Sequence, residues 1–205
     1  MPPDYWIRAT RSLARRDAVL AGIIRSHPGI ALGTRGDAFQ TLARSIVGQQ
    51  ISVKAADSVW RNFTGAIAAV EPGAVLRSGA RGLAGSGLSR RKVEYLLDLA
   101  RHFAERRLDV GAWASLDDET VIRQLTEVRG IGRWTAQMFL IFNLMRPDVL
   151  PLDDLGLQRA VRRHYPARHG RSAEAMSKLA QAWIPWRSVA TWYLWRSLDP
   201  VPVEY

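Results

Sequence analysis

The sequence predicts an all-α fold, a compact helical bundle of two lobes. Three observations carry that prediction. Apolar residues recur with helical rather than alternating spacing, runs of β-branched residues are scarce, and about ten helical stretches are joined by short connectors. The 205 residues are enough to bury a substantial core in one domain, or in two small lobes that share the chain.

A first helix is expected over 10–26, ended by His27-Pro28-Gly29, because proline cannot continue a helix and glycine accepts the turn that follows. A second is expected over 37–47, stopping near Gly48. Ser52 can cap the next, which carries Val53, Ala56, Val59, Trp60 and Phe63 on one side. Glu71-Pro72-Gly73 and the glycines of 82–87 punctuate a short segment around Val75. Ser89 then opens a helix whose Val93, Leu96, Leu97, Ala100 and Phe103 form one apolar stripe.

Ser115 and Asp118 read as a capping box before Val121, Ile122, Leu125 and Val128, and a glycine turn ends that helix. Past the turn, Trp134, Met138, Ile141, Phe142 and Met145 keep helical spacing. Phe139, Leu140 and Leu144 fill its other faces, so this helix is expected to be buried nearly all round. Pro147 and Pro151 bracket an extended connection, after which Asp153 or Asp154 caps a helix carrying Leu157, Ala160 and Val161. Helices over 172–183 and 186–198 complete the expected set.

A formal net charge of +10 favours a polyanionic partner, with nucleic acid ahead of a membrane surface. All but Lys54, Lys92 and Lys178 of the 29 basic residues are arginine, a bias that a GC-rich genome can supply in part, so the charge is support and no more. The absence of cysteine excludes disulfides, zinc-thiolate sites and a cysteine-bound iron-sulfur cluster. The first residues form no apolar leader and no run of eighteen apolar residues occurs, which leads us to expect a cytosolic protein. The four histidines have no metal-ligand spacing, and no Ser-His-Asp order or phosphate-cradling Gly-Lys-Ser/Thr loop is present.

Chemistry concentrates in two places. Arg129-Gly-Ile-Gly-Arg-Trp-Thr-Ala136 has the form helix, Gly-x-Gly, helix, in which glycines free of a Cβ let backbone N–H groups approach a phosphate at a helix N-terminus. Gly-Ile-Gly alone is equally a helix cap and tight turn. Flanking Arg129 and Arg133 and the longer match through Thr135 favour the DNA-backbone reading, which carries no sequence information. Carbonyls near Val128 and Gly130 could also hold a monovalent cation, Na+ or K+. No other metal and no organic cofactor is expected.

The second place is Pro151-Leu-Asp-Asp154, where one aspartate is expected to cap a helix and the other to supply a carboxylate. Eight tryptophans, five of them from Trp134 onward, are a high count; core packing accounts for at least half, yet indole faces also attract an electron-poor or cationic base.

Together, Ile46-Val-Gly-Gln-Gln-Ile-Ser52, Arg129–Ala136, Leu150-Pro-Leu-Asp-Asp154 and Pro185-Trp-Arg-Ser188 resemble the helix-hairpin-helix (HhH-GPD) DNA glycosylase superfamily, in its alkylation-repair, 3-methyladenine glycosylase branch. The resemblance implies a single glycosylase domain over 1–205, with the hairpin at 117–145, an active-site cleft between the lobes, and none of the β-rich N-terminal domain of the familiar relative. It further implies excision of alkylated bases from double-stranded DNA by a monomer. By register with Arg159, the catalytic aspartate is Asp154, with Asp153 assisting or capping. Trp134, Trp195 and, more weakly, Trp192 line the base pocket.

Arg129, Gly130, Ile131, Gly132, Arg133, Thr135, Gln49 and Gln50 contact DNA, and Gln50 stands where the family carries its intercalating side chain, a leucine in the familiar member. Lyase members keep a lysine after Gly-x-Gly-x, where this chain has Trp134, so no lyase activity is implied. Two alternatives stay open on sequence: a glycosylase for deaminated or oxidised bases, and a DNA-binding module without chemistry.

Overall fold

The computed structural model describes residues 2–34, 36–170 and 172–198. Their regular structure is helical throughout. In chain order the α-helices are α1 (Trp6–Arg16), α2 (Ala18–Ser26), α3 (Ala38–Gly48), α4 (Val53–Gly65), α5 (Pro72–Leu83), α6 (Arg90–Ala104), α7 (Asp118–Thr126), α8 (Arg133–Phe142), α9 (Leu155–His164), α10 (Ala173–Ala180) and α11 (Arg187–Arg196). No helix among the described residues is long and apolar enough to cross a membrane. The described residues divide into two compact units: unit 1 holds those up to Thr34 and those from Leu140 to Leu198, and unit 2 those of 36–139.

Unit 1 is organised on α11, whose residues from Ser188 to Arg196 are all buried, so the helix has no solvent face. The single expected helix over 10–26 is two helices, beginning already at Trp6 and broken at Asp17 (φ −140°, ψ 111°). Tertiary hydrogen bonds explain the break. Asp17 Oδ1 caps α2 by accepting the Leu20 N–H at 3.0 Å, while its Oδ2 accepts from the Tyr165 hydroxyl at 2.8 Å and the Trp183 indole at 2.9 Å. Burial, then the Asp17 charge, pushes the Tyr165 hydroxyl far above its ordinary range. Trp6 of α1 meets Trp192 of α11 edge to face at 5.2 Å, which is how the N-terminal helices brace α11.

In unit 2, Leu42, Ile46, Phe63, Leu83, Leu96, Leu99, Trp113 and Leu125 are all fully buried. Trp113 lies edge-on to Phe139 at 5.2 Å and donates its indole N–H to Gln124 Oε1 at 2.8 Å. Ser52 and Ser89 cap α4 and α6 as expected, accepting from Ala55 N and Lys92 N. The capping box at Ser115 does not form. Asp117 caps α7 instead, because its carboxylate accepts from both the backbone N–H and the hydroxyl of Thr120, while the Ser115 hydroxyl donates back to Ala112 O.

The short segment around Val75 is the helix α5, bent at Gly79, whose φ of 58° only glycine adopts cheaply. On α4 only Phe63 is buried, and Val53 is 48% exposed, so the expected stripe is half solvent-facing. On α6, Leu99 and His102 are buried whereas Leu97 and Phe103 are half-buried. α8 is buried all round from Thr135 to Phe142, as its pattern requires, but stops at Phe142 rather than running to Met145, which takes φ 55°.

Candidate functional site

In unit 2 the hairpin between α7 and α8 is made by backbone. The N–H of Ile131 closes the turn onto Val128 O at 3.1 Å, and both side chains are buried as its apolar anchor. Gly130 takes φ +85°, and a Cβ there would lie inside the ring of Tyr95, so both conformation and space demand glycine. Asp98 of α6 accepts the Arg129 N–H at 2.9 Å. Gly132 begins the first turn of α8, its carbonyl accepting the Ala136 N–H at 3.0 Å, and a Cβ on it would meet nothing within 4 Å. The folded chain therefore gives no internal reason for glycine at 132, while an approaching phosphate would.

The side chains around the turn divide by exposure. Arg129 is exposed. Arg133 is also exposed and is paired through both guanidinium nitrogens with Glu119, which holds the Glu119 carboxyl below the usual carboxylate range. Trp134 is half-buried in the first turn of α8. The side chains of Ile131 and Thr135 are buried, so of these two residues it is the backbone that can face a phosphate.

The α3–α4 turn carries the glutamine pair. Gln50 is exposed and takes φ +59°, a left-handed conformation costly for a residue with a Cβ, followed by Ile51 at 39% exposure. Gln49 behaves otherwise. Its amide nitrogen turns inward and donates to Gly130 O at 2.7 Å. Lys92 of α6 donates to Val47 O, near the end of α3, at 2.7 Å, and burial pushes its ammonium below the ordinary lysine range.

The carbonyls expected to hold a cation are engaged by neutral donors, Val128 O by the Ile131 N–H and Gly130 O by Gln49. Each of these carbonyls keeps a second lone pair, so one hydrogen bond does not by itself exclude a Na+ or K+, and no step of the chemistry is routed through one. No cluster of His, Asp or Glu suited to a metal ion occurs among the described residues.

In unit 1 the candidate carboxylate is Asp154, 7% exposed, at the start of α9. Its Oδ1 accepts the Leu157 N–H at 2.6 Å and the Trp195 indole N–H at 2.7 Å. The capping aspartate and the candidate catalytic aspartate are thus one residue. Asp153, expected to assist or cap, is exposed and does not cap.

Trp195 stacks on Phe142 with ring centroids 5.8 Å apart and planes 14° from parallel, a partner that periodicity alone does not reveal. Gly156 makes the approach of the indole possible: a Cβ there would lie 3.0 Å from both Asp154 Oδ1 and Trp195 Cδ1. Trp192 packs edge-on against Trp6 and Tyr193 and lies under the Arg196 guanidinium at 5.4 Å.

Residues of Pro185-Trp-Arg-Ser188 hold the irregular connection of turns that leads to Asp154. Arg187 grips Asp148 with two nitrogens at 2.7 and 2.9 Å, and the Ser188 hydroxyl accepts the Val149 N–H at 2.9 Å.

The family model described as HhH-GPD superfamily base excision DNA repair protein matches residues 43–185. The chain is 31% identical over 199 residues to a DNA-3-methyladenine glycosylase of Saccharomyces cerevisiae, covering 80% of this chain and 67% of that one. It spans about two thirds of the length of the curated relatives it matches. Among solved structures, a DNA-3-methyladenine glycosidase of Bacillus halodurans superposes with a TM-score of 0.84 at 34% identity, covering 93% of this chain and 89% of that one. A Schizosaccharomyces pombe 3-methyladenine DNA glycosylase in complex with abasic DNA gives 0.79 at 26% identity, covering 93% and 96%.

Proposed function

Since this chain belongs to the HhH-GPD superfamily of base excision DNA repair proteins, we propose that it flips alkylated bases of the 3-methyladenine and 7-methylguanine type out of double-stranded DNA and hydrolyses their N-glycosidic bonds. The observation that carries the reading is the Asp154 carboxylate, buried at the start of α9 and oriented by the Leu157 N–H and the Trp195 indole. A passive DNA binder has no use for a buried carboxylate so arranged. The names of the relatives support the choice of lesion.

A methylated purine carries positive charge and leaves as a neutral base, so it needs little help from a general acid. What must be stabilised is the positive charge growing on the sugar as the C1′–N bond breaks. A fixed carboxylate does this at low reorganisation cost and can orient the water that adds to C1′. Indole faces such as those of Trp134 and Trp195 attract a cationic base more than its neutral parent, which selects the lesion. The hairpin holds the phosphates through backbone N–H groups, Gly132 leaving the approach open.

The reaction ends at an intact abasic site. Cleaving the strand would need an amine to form a Schiff base, and Trp134 stands where the lyases of the superfamily keep a lysine. The test is direct: incubate methylated duplex DNA with the protein and identify the released bases by chromatography, with borohydride added in parallel. Release of 3-methyladenine and 7-methylguanine without a trapped adduct is expected. Release of only deaminated or oxidised bases would overturn the choice of lesion, and a trapped adduct would overturn the monofunctional mechanism.

A further inference from the structure

One face of α6 touches both turns that the glycosylase reading directs at DNA. Lys92, Tyr95 and Asp98 are three residues apart, so they follow one side of the helix over about 9 Å of its axis. Lys92 holds Val47 O near the end of α3, the Tyr95 ring abuts Gly130, and Asp98 holds the Arg129 N–H. Gln49 then closes the gap directly, its amide donating to Gly130 O across 81 residues of sequence at 2.7 Å. The neighbouring Gln50 is left exposed in its left-handed conformation.

We propose that Gln49 and Lys92 are positioning residues which lock the Gln50 turn to the hairpin along α6, so that the phosphate grip and the side chain entering the base stack meet the duplex in one fixed register. The inference rests on the DNA-glycosylase reading and reassigns Gln49 from touching DNA to acting through Gly130. Its physical logic is pre-organisation. A side chain that must enter the stack at the moment a base leaves it acts only if its distance from the gripped phosphates is set beforehand, and a small misplacement is expensive in rate. Among the described residues the exposed Gln50 has no long-range hydrogen bond of its own to set that distance, whereas Gln49 and the Val47 carbonyl on the same turn each have one.

The test measures three quantities on full-length protein: affinity for an undamaged duplex, affinity for the same duplex with a stable abasic analogue, and single-turnover release of a methylated base. In Gln49→Ala and in Gln49→Glu, which keeps the size but not the donor, the release rate and the preference for the abasic duplex should each fall about tenfold, as for the loss of one part-buried hydrogen bond. Affinity for undamaged duplex should stay within about twofold, because the hairpin backbone remains.

Lys92→Met should fall in the same direction, and Lys92→Arg, which keeps a cationic donor for Val47 O, should recover most of the loss. An equal fall in affinity for both duplexes would overturn the proposal, as would unchanged preference and rate in Gln49→Ala. A wild type that neither prefers the abasic duplex nor releases a base would instead overturn the glycosylase reading, so the two failures are separable.

Discussion

The hairpin of unit 2 offers a partner its main chain, whereas the Asp154 region of unit 1 offers side chains, and the two are buried accordingly. At the hairpin the side chains that matter structurally, Val128, Ile131 and Thr135, point inward, and what reaches solvent is Gly132 with exposed Arg129 and Arg133. Around Asp154 the carboxylate itself is buried, and its position is set by an indole, a backbone N–H and a glycine that yields room to both. A grip that must accept any sequence is made from groups every residue has. A step that acts on one atom is made from groups only a few residues have.

Substitutions can break that contrast, and the largest effect belongs to the carboxylate. Asp154→Asn keeps an oxygen for the Leu157 N–H, and asparagine caps as well as aspartate, so melting temperature should hold while excision falls about 100- to 1000-fold. Near-normal turnover in this variant would remove Asp154 from the chemistry. Next comes Gly130→Ala, which places a methyl group in the Tyr95 ring and forces alanine to φ +85°. The expected loss is about 2–4 kcal/mol of folding free energy, read by denaturant titration. A well-folded Gly130→Ala would mean that the hairpin is far more plastic than its contacts imply.

Trp195→Phe sharpens the other side of the comparison. The stack on Phe142 can persist while the indole N–H is lost, so excision should slow by about tenfold with duplex affinity unchanged, as for one missing hydrogen bond to a charged acceptor. The smallest effect belongs to Gly132→Ala. Its methyl group meets nothing in the folded chain, so stability should stay within ~0.5 kcal/mol. Affinity should fall alike for all duplex sequences, and wild-type affinity should fall linearly in log salt. Unchanged affinity at moderate salt would place the phosphates elsewhere.

The same contrast explains what the sequence could disclose. The hairpin is local: two glycines, a preceding apolar helix and a following one are visible in a single window, and the helices around it follow from spacing and caps. Asp154 was reachable only through its register with Arg159 in the resemblance, because spacing alone left Asp153 and Asp154 equivalent. The expectation that one would cap and the other catalyse assumed that the two roles need two residues. Oδ1 of Asp154 takes the cap bond and the indole bond together.

Asp17 could not be read as a helix break, nor Gln49 as an inward donor, for one reason. Their partners lie 148, 166 and 81 residues away, and such pairs leave no periodic trace. An aromatic residue in a tryptophan-rich helix carries no mark to separate a packing role against Trp6 from a pocket role.

Unit 1 is assembled from both ends of the chain, with unit 2 inserted between them. On the ribosome this fixes an order. Unit 2 has its sequence complete once α7 and the start of α8 emerge, while α1 and α2 still lack α11. At roughly 5–20 residues per second, Trp6 is without its α11 partners Trp192 and Tyr193 for on the order of ten seconds. The long-range closure of α1 onto α11 is therefore the step at which a nascent chain is most exposed to wrong association, and it is the slow step that chain connectivity imposes.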